Sequence, residues 1–148
     1  MLDFSQDPRY LAWASKILCW EIPPPEAKWL TSLSKDGKIL GVVVYSRFTP
    51  GSCEITVASE SPTFITKRFA FAVAYYPFVQ LNCHRVTAFV RVGNAKSLNL
   101  AQQLGFQIEG TVRKWFPDSD AYILGLLRED CNWLKDDYGI RRQRSRNT

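Results

Sequence analysis

RVTAFVRVGNAKSLNLAQQLGFQIEG, running from Arg85 to Gly110, changes its hydrophobic period twice. Val86, Ala88, Val90 and Val92 alternate, the period of a half-buried strand. Asn94 then stands at an N-cap position, and Ser97 to Leu104 continues with good helix formers. Gly105 falls where a helix C′ residue takes a positive φ. Phe106 is placed to fold back on Leu100 or Ala101, as in a Schellman ending. Gln107 to Trp115 is extended again. The stretch therefore predicts strand, turn, short helix and strand, with Asn94, Ser97 and Ala101 along one strip of the helix.

Upstream, Ile65, Phe69, Ala72, Tyr76 and Val79 recur by three and four, which predicts a helix from about Phe64 toward Leu81. Pro77 kinks or ends it one turn early. Phe71, Tyr75 and Phe78 give it a second apolar face, so these aromatics read as core. Earlier still, Trp29 to Leu33 and Ile39 to Phe48 read as two strands joined across Ser34 to Lys38, where Asp36-Gly37 signals a hairpin. The apolar run Ile39 to Tyr45 marks a central strand. Cys53 to Ala58 is the next, with Glu54, Thr56 and Ala58 on one face and Ile55 and Val57 on the other. Asp7-Pro8 starts a first helix toward Leu18, and Pro23-Pro24-Pro25 forbids its continuation. Downstream, Gln107 to Phe116 and Ala121 to Leu127 form a hairpin about Pro117 to Asp120. Cys131 to Tyr138 adds an amphipathic turn with Trp133 and Leu134 inward.

With 148 residues, 46% of them hydrophobic and 14% aromatic, the chain suffices for one core and one domain. No run approaches the ~18 apolar residues of a membrane span, and Met1 to Tyr10 lacks a signal-peptide pattern. Cys19, Cys53, Cys83 and Cys131 form no C-x-x-C pair and the chain has a single histidine, so no metal site is expected. Idle thiols fit a reducing cytoplasm. Adjacent Cys83 and His84 point to opposite faces of an extended chain, which disfavours a Cys–His nucleophile. The formal charge is +5, and Arg141, Arg142, Arg144 and Arg146 carry most of it. Residues 1–138 are thus expected to be the domain and 139–148 a disordered basic tail, open to weak contact with nucleic acid or the ribosome.

The set Asn94, Ser97, Leu104, Gly105, Phe106, Glu109, Gly110 and Arg113, at fixed spacing, resembles the GCN5-related N-acetyltransferases (GNAT). Within them it looks most like the branch that acetylates ribosomal-protein N-termini and some small amines (RimJ/RimL-like), in a bacterial or phage setting. The resemblance implies an α/β GNAT fold: a mixed, mostly antiparallel sheet with a central splayed parallel pair, flanked by helices. It also implies acetyl-CoA as cofactor. Ser59 to Thr63 is where the family places the CoA pyrophosphate, on a glycine-rich turn whose N–H groups and helix dipole hold negative charge. This chain has no glycine there. Ser61 or Thr63 is expected to cap the helix, with Ile65, Thr66, Lys67 and Arg68 presenting first-turn amides and two cations. Val57 and Asn94 complete the expected cofactor contacts.

Acetyl transfer needs a neutral amine, hence a base, and donors for the oxyanion and the departing thiolate. The position of the family's tyrosine is Ala101 here, so the resemblance gives Ser97 the thiolate, in competition with a bond to its own helix backbone. Glu54 is the candidate base, with solvent-facing glutamate as the alternative; Asp118 or Asp120 stands near another carboxylate position of the branch. Trp13, Trp20 and Glu21 flank the expected acceptor cleft, though the tryptophans read better as core. The acceptor is an amine-bearing small molecule, a polyamine, a lysine or a protein N-terminus, and a homodimer is left open. The missing glycines and tyrosine keep a non-catalytic acyl-CoA-binding or interaction module as the alternative. The arginine tail keeps an RNA-associated protein as another.

Overall fold

The computed structural model describes residues 1–60 and 66–135. Seven strands form one sheet: β1 (Leu2–Asp3), β2 (Lys28–Leu33), β3 (Ile39–Thr49), β4 (Ser52–Ser59), β5 (Arg85–Arg91), β6 (Gln107–Phe116) and β7 (Ser119–Leu127). Their order is β1-β2-β3-β4-β5-β7-β6. Every neighbouring pair is antiparallel except β4–β5, which is parallel. The expected α/β sheet with one central parallel pair is what the chain adopts.

Helix α1 (Pro8–Ile17) covers one face of β3 and β4. Asp7 caps it by accepting from the Arg9 N–H, and Pro8 occupies the first turn, where no N–H is needed. Ala14 packs there against Val42, Val44 and Ala58, with Trp13 and Trp20 partly buried around them. The opposite face carries α2 (Lys67–Tyr75), α3 (Ala95–Gln103) and α4 (Asn132–Lys135). Leu30, Val43, Tyr45, Ile55, Phe69, Phe78, Val86 and Leu124 form the main core between them. Trp133 and Leu134 pack against it, as the amphipathic pattern predicts.

Three expectations need correction. Helix α2 begins at Lys67 with Thr66 as its N-cap, accepting from the Phe69 N–H at 3.0 Å, rather than near Phe64 under Ser61 or Thr63. Its buried residues are Phe69, Ala70, Val73 and Ala74, and Val79 is exposed. Pro77 accounts for Val79: the helix passes into a π-helical turn over Tyr76–Gln80, which rotates the residues after Tyr75 off the 3.6-residue period. Third, Ala101 is buried among Leu104 and Phe106, so the strip Asn94, Ser97, Ala101 runs from solvent into the core.

Other features follow the sequence. Ser34 to Lys38 turns with Gly37 at φ 84°. Gly105 has φ 104°, its N–H donates to Gln102 O, and the Phe106 N–H donates to Ala101 O, both at 3.0 Å. These are the two bonds of a Schellman ending.

Candidate active site at the strand fork

The parallel ladder is short. Ser52, Cys53 and Glu54 pair with Arg85, Val86 and Thr87, and the two strands then part. Beyond Glu54, β4 pairs only with β3 on its other side, from Ile55↔Tyr45 to Ser59↔Gly41. On β5, Ala88 to Arg91 pair only with β7. Successive peptide groups of a strand point alternately to either side. Part of the backbone N–H and C=O groups from Ile55 to Ala58 therefore faces the opening. Such groups need partners, and an extended amide-bearing ligand laid along β4 supplies them.

Helices α2 and α3 lie on one face of the sheet with their amino ends toward the wide end of the fork. Helix α3 leaves the top of β5 through Val92 and Gly93, and its far end leads to Gln107, opposite Gly125 near the closed end of the fork. Helix α2 ends in the π-helical turn that leads to β5 at the same closed end. Both positive dipole ends thus lie at the wide end of the fork. Lys67 and Arg68, exposed in the first turn of α2, add two cations there. The arrangement fits an anionic ligand. Ser61, Thr63 and Ile65, also expected to bind it, lie outside the described residues, as do Arg141, Arg142, Arg144 and Arg146.

Asn94 Oδ1 is used as the cap of α3, accepting from the Ser97 N–H at 3.2 Å. Ser97 is half-buried in the first turn, and its hydroxyl makes no hydrogen bond among the described residues. Val57 is half-buried on the α2 side of β4, and Thr66 is committed to capping.

Glu54 stands at the last paired position of the fork, on the α1 side of the sheet, with its side chain 18% exposed. Arg47 Nε lies 2.7 Å from its Oε2. Burial pushes the carboxyl above the ordinary glutamate range, and the Arg47 guanidinium opposes that. Arg47 reaches it because β3 breaks register after Ser46, where Arg47 takes φ 50°. That bulge left no mark in the sequence reading, since a left-handed arginine has no local signature.

Among the described residues, the same face continues over β5, β7 and β6 without a helix. Phe89 and Trp115 stack with centroids 4.2 Å apart. Arg91 lies over the Phe116 ring at 4.4 Å and binds Asp118 at 2.6 Å. Arg85 binds Glu109 through both carboxylate oxygens, at 2.5 and 3.0 Å. Glu109 is therefore a structural residue, and it reaches Arg85 by lying across Gly125, where a Cβ would fall on its carboxylate. Asp118 is held at the rim by Arg91. Asp120 Oδ1 accepts from the Lys114 N–H at 2.8 Å. Among the described residues, Glu54 is the carboxylate that the fork itself presents.

No protein-family model and no curated protein matches the sequence. Solved structures do. A chimera of spermidine N-acetyltransferase SpeG from Vibrio cholerae and hSSAT superposes with a TM-score of 0.63 at 19% identity, over 73% of this chain and 70% of that one. A second such chimera reaches a TM-score of 0.71 at 17% identity, over 92% and 98%. Ribosomal-protein-S5-alanine acetyltransferase from Vibrio fischeri gives a TM-score of 0.62 at 24% identity, over 71% of this chain and 63% of that one. The order of elements, the splayed parallel pair and these superpositions agree: the chain has the fold of the GCN5-related N-acetyltransferases.

Proposed function

We propose that this protein is an acetyl-CoA-dependent N-acetyltransferase that acetylates a primary amine by direct attack in a ternary complex. The observation that carries the reading is the fork itself. A parallel pair that separates after Glu54 and Thr87 leaves backbone groups and two helix amino ends open to an elongated anionic ligand. Val57, Asn94, Thr66, Lys67 and Arg68, with Ser61, Thr63 and Ile65, are the residues assigned to it, the cations meeting its phosphates.

Acetyl-CoA supplies the thioester, whose C–S bond breaks as the N–C bond to the amine forms. Glu54 takes the proton that the amine sheds; burial raises its basicity, and the Arg47 guanidinium offsets part of that rise. Ser97 Oγ donates a hydrogen bond to the departing sulfur. A serine hydroxyl is a weak acid, so its role is stabilisation, and solvent completes the protonation. The domain is residues 1–138 and the setting cytoplasmic. The neighbours named for spermidine and for ribosomal-protein-S5 alanine support an amine acceptor, either a small molecule or a protein N-terminus.

The test is calorimetric titration with acetyl-CoA, followed by release of free CoA thiol in the presence of amines. Micromolar binding, weakened about ten-fold or more by Lys67→Ala/Arg68→Ala and little changed by Ser97→Ala, is the expected result. Absence of binding at near-millimolar acetyl-CoA overturns the reading. One observation favours a second reading, a non-catalytic acyl-CoA-binding module: Ala101, at the family's tyrosine position, is buried in the core and offers no acid. Tight binding with no thiol release from any amine selects it.

A further inference from the structure

The face of the fork away from α2 and α3 lies between two flanking walls. Helix α1 bounds it over β3 and β4. The Phe89–Trp115 stack bounds it on the other side, with Trp115 43% exposed. Between them the register places Glu54 opposite Thr87, and Phe89 is the next residue of β5 on the same face. Two residues along β5 are about 6.6 Å and paired strands about 4.8 Å apart, so Glu54 and Phe89 stand roughly 8 Å apart backbone to backbone, the span of one small molecule.

The charges on this face are unusual for a cation site. Glu54, Glu109 and Asp118 each already hold an arginine. A polycation needs surplus negative charge, and these three carboxylates provide none. What the face offers instead is Arg47. Its side chain is 68% exposed, its shortest contact with Glu54 runs through Nε, and among the described residues Nη1 and Nη2 make no hydrogen bond. A guanidinium with open Nη atoms is a planar receptor for a carboxylate.

We infer that the acceptor is a small amino-carboxylate with an aromatic or apolar body, its acid on Arg47, its amine at Glu54 and its body against Phe89 and Trp115. The inference rests on the acetyltransferase reading above and narrows its acceptor. When the acid occupies Arg47, Glu54 loses part of its counter-charge just as the ammonium arrives beside it. One guanidinium thereby serves the resting carboxylate and the incoming substrate in turn.

The experiment uses the full chain with saturating CoA and measures amine binding by calorimetry. L-phenylalanine and L-leucine are the amino-carboxylates. Phenethylamine keeps the amine and ring without the acid, and spermidine is the polycation. At least one amino acid is expected to bind ten-fold or more tighter than phenethylamine and spermidine. Arg47→Gln is expected to erase that preference while phenethylamine binding holds or strengthens, because Glu54 is released. Arg47→Gln leaves the largely buried Glu54 without its counter-charge, so the melting temperature is measured alongside and all binding is compared well below it. Spermidine or phenethylamine binding as tightly as the amino acids overturns the inference. So does a preference that survives Arg47→Gln, or no binding of either amino acid. Acetyl-CoA titrated separately reports on the enzyme itself, so a protein that binds acetyl-CoA but prefers spermidine loses only the acceptor assignment.

Discussion

Glu54 is pulled in two directions, by burial toward the neutral acid and by Arg47 toward the carboxylate, and burial is the larger effect. A carboxyl whose folded pKa is raised binds protons more tightly in the native state than in the unfolded chain. Its contribution to stability therefore falls as pH rises from the ordinary glutamate range through the raised value. Glu54→Gln removes that loss. Its thermal stability near pH 7 is expected to match or exceed wild type, within about 0.5 kcal/mol, while kcat drops on the order of 10²-fold. The acid limb of the kcat/KM profile should lie above the ordinary glutamate range in the wild type and vanish in the variant. An unchanged profile in Glu54→Gln removes it as the base. Alternation along Cys53 to Ala58 sufficed to put Glu54 on one face. Its ion pair was invisible, because it depends on a bulge in a different strand. Glu109 behaves in the opposite way. Its bonds to Arg85 hold its pKa below the usual value, so its contribution is present above the ordinary glutamate pKa and is lost as pH falls through the depressed one. Gly125→Ala should displace Glu109 from Arg85 at a cost of roughly 0.2–1 kcal/mol. Measured by urea unfolding in a cycle with Glu109→Gln, the two changes should be clearly non-additive. Full additivity would mean that Gly125 does not position this pair.

At the scale of elements, two ends of helices can be tested directly. Thr66→Ala removes the side-chain acceptor of the Phe69 N–H and should cost about 1 kcal/mol, whereas Thr63→Ala should not remove a cap of α2. Gly105→Ala forces an L side chain to φ 104° and should also cost about 1 kcal/mol, read from the shift of the urea midpoint at constant slope. The α3 ending was legible because leucine, glycine and phenylalanine at C-cap, C′ and C″ are a local code. The start of α2 was not. Ser61, Thr63 and Thr66 are all acceptable caps by composition, and only the packing of Phe69 and Ala70 into the sheet decides which residue opens the helix. Pro77 announced an interruption. That the chain answers with a π-helical turn, leaving Val79 exposed, follows from how Phe78 and Tyr76 find places against Tyr45 and the core.

At the scale of the molecule, the four thiols report on the sheet. Cys19 is exposed, while Cys53, Cys83 and Cys131 are buried. Burial, with Cys83 beside it, pushes the Cys53 thiol up to about 12, so it offers almost no thiolate near neutrality. A thiol-reactive disulfide reagent should label one cysteine rapidly in the native protein and three only as fast as the structure opens. Rapid labelling of Cys53 or Cys83 would show that the closed end of the fork is loose. The sequence by itself determined the order of elements from α1 onward, though not β1 before it, together with the hairpin turns, the capped helix α3 and the face on which Glu54 sits. Those features rest on periods of two and 3.6 residues and on cap residues, which act over a few positions. It also carried the resemblance to the acetyltransferases. Only the tertiary structure decided where β4 and β5 part, that Arg47 meets Glu54, that Glu109 crosses Gly125 to Arg85, and that Phe89 stacks on Trp115. Each of these joins residues that are distant in the chain or displaced by a bulge, and such meetings are set by register and packing across the sheet rather than by any local preference.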